Sequence, residues 1–98
     1  MISADIPNST RKAVYRRDGY RCALCDSPKY LQIHHVIPRS HAGSDFPENL
    51  ITLCSDCHAA AHGTRLPGYE DITEEAMEQS CVEYVSDLYA EEGWYPFK

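Results

Sequence analysis

His34 and His35 adjoin one another, Asn49 follows, and Cys57, His58 and His62 come next; two C-x-x-C pairs, Cys22/Cys25 and Cys54/Cys57, bracket the group. These residues divide by the chemistry they can do. A C-x-x-C turn aims two thiolates at one point, and a second such turn, 28 residues further on, completes a closed tetrahedral zinc shell with no position for water. A redox pair is the alternative for a C-x-x-C. Two of them around a histidine cluster in 98 residues argue for a structural zinc that holds the fold and takes no part in a reaction. The imidazoles suit a different task. His58 and His62, at i and i+4 of an expected helix, project from one face and can share a divalent ion, and His34 could supply a third ligand. Three imidazoles leave positions open for water and a ligand oxygen, as a catalytic site requires. His35, nearby and unligated, has an imidazole that could take a proton from attacking water. For either His34 or His35 alone a packed core histidine is the ordinary reading; four His and an Asn within 29 residues reverse it. His41 has no fixed partner in this scheme and is assigned to a loop.

The elements that must position these groups follow from local signals. Pro7, Asn8, Ser9 and Thr10 supply cap chemistry for a short helix from Thr10 to Asp18, with Val14 on its inner face. Asp18-Gly19 turns the chain into the first cysteine knuckle. Tyr30 to Ile37 alternates as a strand and Pro38 ends it. Neighbouring residues on a regular strand face opposite ways, so His35 shares a cleft with His34 only if the chain bends near Val36 to Pro38. Arg39 to Glu48 is a polar loop, and Leu50 to Leu53 a second strand antiparallel to the first. Ser55 or Asp56 can cap an alanine-rich helix through His62, stopped by Gly63. The order strand, loop, strand, helix is a ββα unit. Beyond Pro67-Gly68, Thr73 with Glu74 and Glu75 reads as a capped helix start, and Met77, Cys81, Tyr84, Val85 and Leu88 form one apolar stripe that should dock on that unit. Trp94, Tyr95 and Phe97 are expected beneath it. The fold class is α+β: a small ββα-metal core with a zinc-knuckle clamp and flanking N- and C-terminal helices. One domain of 1–98 is expected, with its core at about 10–63 and an acidic helical extension at about 69–98.

A net charge of −6 speaks at first against a polyanionic partner. The distribution answers it. Residues 1–62 carry seven Lys and Arg against six acids, and 63–98 carry two against nine, so +1 and −7 make up the total. Five of the basic residues fall between Arg11 and Arg21, where one segment can present positive charge. The odd fifth cysteine, Cys81, and an N-terminus without a charged then apolar pattern suit a reducing, cytoplasmic compartment. No apolar run is long enough for a membrane span.

The stretch from Arg16 to His62 resembles the HNH endonucleases, or ββα-metal (His-Me finger) nucleases. The matching residues are Arg17-Asp18-Gly19 leading to Cys22 and Cys25, then His34-His35-x-Ile37-Pro38-x-Ser40, then Asn49-Leu50-x-x-Leu53-Cys54-x-x-Cys57-His58-x-x-x-His62. The resemblance implies that His34 and His58 bind a divalent ion, that His35 is the general base, and that Asn49 holds the loop and orients the base. His62 would be a further ligand, as in colicin-type nucleases. The implied reaction is hydrolysis of DNA to 5'-phosphate and 3'-hydroxyl ends, with a structural Zn2+ and one catalytic ion, Mg2+, Mn2+, Ni2+ or Zn2+. Arg16, Arg17, Arg21 and Arg39 are candidates for contact with the DNA backbone. Short free-standing members occur in phages, where a terminase is a partner, and others act in restriction. The chain departs from the family's loop pattern at His41-Ala42-Gly43, where a basic residue and two glycines are usual. The competing reading is a zinc-ribbon nucleic-acid-binding module that keeps the scaffold and does not cut.

Overall fold

Helix α1 (Asn8–Arg17) opens the described chain two residues ahead of the expected start, because Pro7, with φ −57°, already sets the helical approach. Arg16 and Arg17 occupy its last turn, where the helix dipole favours cations. Val14 is its one fully buried residue, and packs with Ile6 and Leu50. A computed structural model describes residues 6–41, 43–63 and 73–90. The expected packing of Trp94, Tyr95 and Phe97 lies outside the described residues.

Strands β1 (Gln32–His35) and β2 (Leu50–Leu53) pair antiparallel, with Gln32 opposite Leu53 and His35 opposite Leu50. β1 is half the length expected from Tyr30 to Ile37, for two physical reasons. Tyr30 takes φ 54°, which no strand tolerates. At the other end the N–H and carbonyl of Ile37 bond the Asn49 side chain in place of a strand. All four residues of β2 are buried. Leu50 faces α1, whereas Ile51 and Leu53 face the second core with Cys22, Val36 and Cys54. Helix α2 (Ser55–Ala61) follows directly, which completes the ββα order.

Helix α3 (Glu74–Leu88) begins where Thr73 Oγ1 accepts from the Ala76 N–H. Its buried side chains are Met77, Cys81, Val82 and Val85. The expected stripe contained Leu88 and omitted Val82; Leu88 is instead 44% exposed. Within the described residues the architecture is α+β: a two-stranded antiparallel sheet, three helices and a cluster of four cysteines.

Asp18 staples these pieces. Its carboxylate, fully buried, accepts from Arg17 Nε at 2.7 Å and Nη2 at 2.9 Å, from the Thr52 N–H at 3.0 Å and from Tyr84 Oη at 2.9 Å. Burial, and then the bond to Asp18, pushes the Tyr84 phenol up to about 12, so it stays protonated and donating. Replacing Asp18 with alanine should destabilise the zinc-loaded protein by about 3–5 kcal/mol, since it leaves a largely buried guanidinium uncompensated and two donors without acceptors. Denaturant titration of Asp18→Ala beside Tyr84→Phe, which removes one bond and should cost about 1 kcal/mol, checks this.

Candidate functional site

The four cysteines gather from two turns. In the first, the Cys22 N–H donates to Ser27 O at 2.8 Å, the Asp26 N–H donates to Cys22 O at 2.9 Å, and Asp26 takes φ 67°. In the second, Cys54 is the N-cap of α2: its Sγ accepts from the Cys57 N–H at 3.4 Å. Ser55 and Asp56, the caps expected from sequence, lie inside the helix. A sulfur thus does the work of a capping oxygen, and one atom both starts α2 and faces the other thiols. The four Sγ atoms lie within 4.8 Å of one another, Cys25 and Cys54 at 3.5 Å. Thiolates around tetrahedral zinc stand about 3.8 Å apart, so the set fits that ion. The electrostatics agree. Burial pushes the Cys22 thiol up, but the backbone N–H groups of Cys54, Cys25 and Leu24 outweigh it and hold it below its ordinary value. Cys57 and Cys25 are raised, chiefly by burial, with thiol contacts in the cluster contributing further. A bound dication would relieve that crowding of charge.

The histidines converge from β1 and α2. Alternation places Gln32 and His34 on the face of β1 that meets α2, and a helical turn places His58 above His62. The rings stand edge to face, with centroids 5.2 Å apart for His34 and His58, 5.3 Å for His34 and His62, and 4.7 Å for His58 and His62. His58 Nε2 and His62 Nε2 approach to 3.1 Å. Two ligand nitrogens about 2.1 Å from one ion stand about 3–3.4 Å apart. One nitrogen from each of the three rings lies within 4.8 Å of the others. His58 Nδ1 is taken by Gln32 Oε1, which leaves Nε2 as the nitrogen able to bind an ion. Burial, then the fields of His58, His62 and His35, brings His34 down to about 4, and burial with His62 lowers His58. Both imidazoles are therefore neutral near pH 7, the state in which they can bind a metal.

His35 ends β1, and the chain leaves the ladder at Ile37, which is the bend the sequence required. His34, His35 and His62 all line one cleft of about 310 Å³, with Glu74, Glu75 and Glu78 of α3 on its other side. That acidic rim was not foreseen as part of the site. The wider cleft, about 470 Å³, lies against the cysteine cluster between Leu24, Tyr30 and Met77 and has no imidazole in its wall. His35 Nε2 stands 2.7 Å from Asp45 Oδ1. Asn49, 2% exposed, accepts from the Ile37 N–H at 2.8 Å and donates to Ile37 O at 3.0 Å and Ser44 O at 2.9 Å. Its described side-chain bonds go to Ile37 and Ser44, and none of them to His35. Gly43 closes the same loop: a Cβ there would stand 1.7 Å from Ile37 O, so no other residue fits.

The basic residues separate. Arg16 and Arg21 are exposed. Arg17, expected at the DNA backbone, is turned inward, and all five of its N–H donors are engaged: Nε and Nη2 with Asp18, Nη2 also with Leu50 O, and Nη1 with Pro47 O and Tyr89 Oη. It has no donor left for a phosphate. The Arg39 side chain lies outside what the structure describes, and His41 is exposed in a 3-10 turn (Arg39–His41). Asp45 and Gln32 escaped sequence reading. The one signal for Gln32 was its place two residues before His34 on a strand, and Asp45 read as ordinary turn chemistry.

A family model described as HNH endonuclease matches residues 22–64. Over 39 residues the chain is 46% identical to the type IV methyl-directed restriction enzyme EcoKMcrA of Escherichia coli K12, covering 40% of this chain and 14% of that one. It is 36% identical over 53 residues to Anaredoxin of a Nostoc species, 53% of this chain and 70% of that protein. Among solved structures, the type IV phosphorothioation-dependent restriction endonuclease ScoMcrA superposes with a TM-score of 0.63 at 24% identity, over 89% of this chain and 17% of that one. The chain thus spans less than a fifth of either restriction enzyme.

Proposed function

Because the chain belongs to the HNH endonuclease family, we propose that it is a metal-dependent endonuclease that hydrolyses DNA phosphodiester bonds to 5'-phosphate and 3'-hydroxyl ends. The observation that carries this reading is the three-imidazole cluster of His34, His58 and His62, two of whose members, His34 and His62, line one cleft with a fourth imidazole, His35. His34, His58 and His62 hold the divalent ion, which when bound stabilises the charge that develops on the scissile phosphate and its leaving oxygen. His35 takes the proton from a water that attacks phosphorus in line, as the bond from phosphorus to the 3'-oxygen breaks and that oxygen takes a proton from solvent; His35 then returns its own proton to solvent. Arg16 and Arg21 face the DNA backbone, and the four cysteines hold zinc. Glu74, Glu75 and Glu78 place negative charge along the cleft, which a bound divalent ion would offset. Between phage packaging and restriction, the likeness to EcoKMcrA, a restriction enzyme, favours restriction.

The test is supercoiled plasmid offered to protein stripped of its labile ion and resupplied with Mg2+, Mn2+, Ni2+ or Zn2+ in turn, beside a His34→Ala/His58→Ala variant. Nicking or linearisation should require added ion, vanish in the variant and leave ends that DNA ligase reseals. An intact plasmid with every ion, from protein that still binds DNA, would establish the non-cutting module instead.

A further inference from the structure

We propose that Asp45 is the positioning residue for His35, fixing its tautomer and ring orientation, and that Asn49 acts on the base through Asp45. The proposal rests on the reading of His35 as the base.

An ionised carboxylate can only accept hydrogen bonds. Its contact with His35 Nε2 at 2.7 Å therefore places the proton on Nε2 and leaves the Nδ1 lone pair bare in the neutral ring. Nδ1 is then the atom that accepts the proton of water. The position of Asp45 is set by backbone and not by a long side chain. Asn49 Nδ2 holds the carbonyl of Ser44, the residue before it, and the same amide group grips Ile37 on both its N–H and its carbonyl. Gly43 N donates to Pro38 O at 3.0 Å, and Gly43 leaves no room for a Cβ against Ile37 O. The two residues before Asp45 are thus clamped to the two residues that lie two and three beyond His35. The distance from acceptor to base follows from that short, closed loop.

Folding does not account for the pair. Its side chains are 19% and 40% exposed, and ion pairs in such surroundings add little to stability. A hydrogen bond at the mouth of the cleft is what holding a base in one pose requires.

The experiment pairs turnover with a direct view of the ring nitrogens. Long-range 1H–15N correlation spectra under alkaline conditions distinguish a protonated from a bare imidazole nitrogen, and the His35 signals are identified by their loss in His35→Ala. In the zinc-loaded wild type, Nε2 should be the protonated nitrogen and Nδ1 the bare one. In Asp45→Ala the two should move toward averaged values, while kcat for DNA falls about 10- to 100-fold with KM within about threefold and zinc and nickel content unchanged. Asp45→Asn can present either an oxygen or an amide N–H to the ring, and its kcat should follow the fraction of Nε2–H that its spectrum shows. Wild-type turnover in Asp45→Ala overturns the proposal, as does lost turnover with His35 nitrogens unchanged. If the wild type cuts no DNA with any ion, the nuclease reading fails separately, and the nitrogen signals of Asp45→Ala still decide whether Asp45 sets the tautomer.

Discussion

Alanine in place of His35 is expected to slow DNA hydrolysis by about 10²- to 10⁴-fold, the span that a positioned general base contributes. The loss should fall on kcat and leave KM close to that of the wild type, because the imidazole acts on water and not on the parts of DNA that supply affinity. Stability should hardly change. The ring is partly exposed, and the carboxylate it leaves behind is 40% exposed, so water can solvate it. Zinc content should be unaltered as well, since no cysteine touches this side chain among the contacts described. Single-turnover cleavage by the variant, with and without added free imidazole, is the measurement. Partial recovery with imidazole would show that a missing proton acceptor is the defect. A variant that cuts within about tenfold of the wild type would move the base to another group.

If the four cysteines hold zinc as proposed, removing it should have the larger effect on the fold. Cys22 and Cys54 are not surface residues: both sit in the principal core with Ile51, Leu53, Val82 and Val85. Closed zinc sites in small domains contribute about 10–16 kcal/mol of apparent binding free energy, as much as the whole stability of a typical domain, about 5–15 kcal/mol. Cys22→Ser, or a strong chelator at neutral pH, should therefore abolish the cooperative thermal transition and lower the helical circular dichroism. Because Cys54 caps α2, the same loss should scatter His58 and His62 and so empty the second ion site. Cys81→Ala is the control. That thiol is buried, its pKa is pushed up to about 12, chiefly by burial, and it lies outside the four-thiol cluster. The variant should keep one tightly bound zinc and a cooperative transition, at a cost of about 1–2 kcal/mol for the lost sulfur. A Cys22→Ser protein that melted cooperatively near the wild-type temperature would show that the apolar core suffices without zinc.

What was legible in the residue order was whatever depends on a few neighbouring residues. Two C-x-x-C turns, His58 and His62 one helical turn apart, the strand at Leu50–Leu53 and the cap at Thr73 are each written within five residues or so, because turn, helix and strand geometry is local. The lengths and inner faces were less legible. β1 ended early because Asn49, a dozen residues away, took the bonds that Ile37 would have given a strand. Leu88 falls on the apolar stripe by spacing yet is 44% exposed, whereas Val82, off that stripe, is buried. Arg17 looked like a phosphate contact on charge alone; only the packing of α1 against β2 and α3 turned it inward onto Asp18, Leu50 and Tyr89. The sequence by itself determined which cysteines and histidines gather into two groups able to hold an ion, because their spacing is local. The tertiary structure decided how these side chains are held: Gln32 on His58 across 26 residues, Asp45 on His35 across 10, Tyr84 on Asp18 across 66. Such polar pairs join segments that no period or spacing relates, so they become visible only when the core has brought their backbones together.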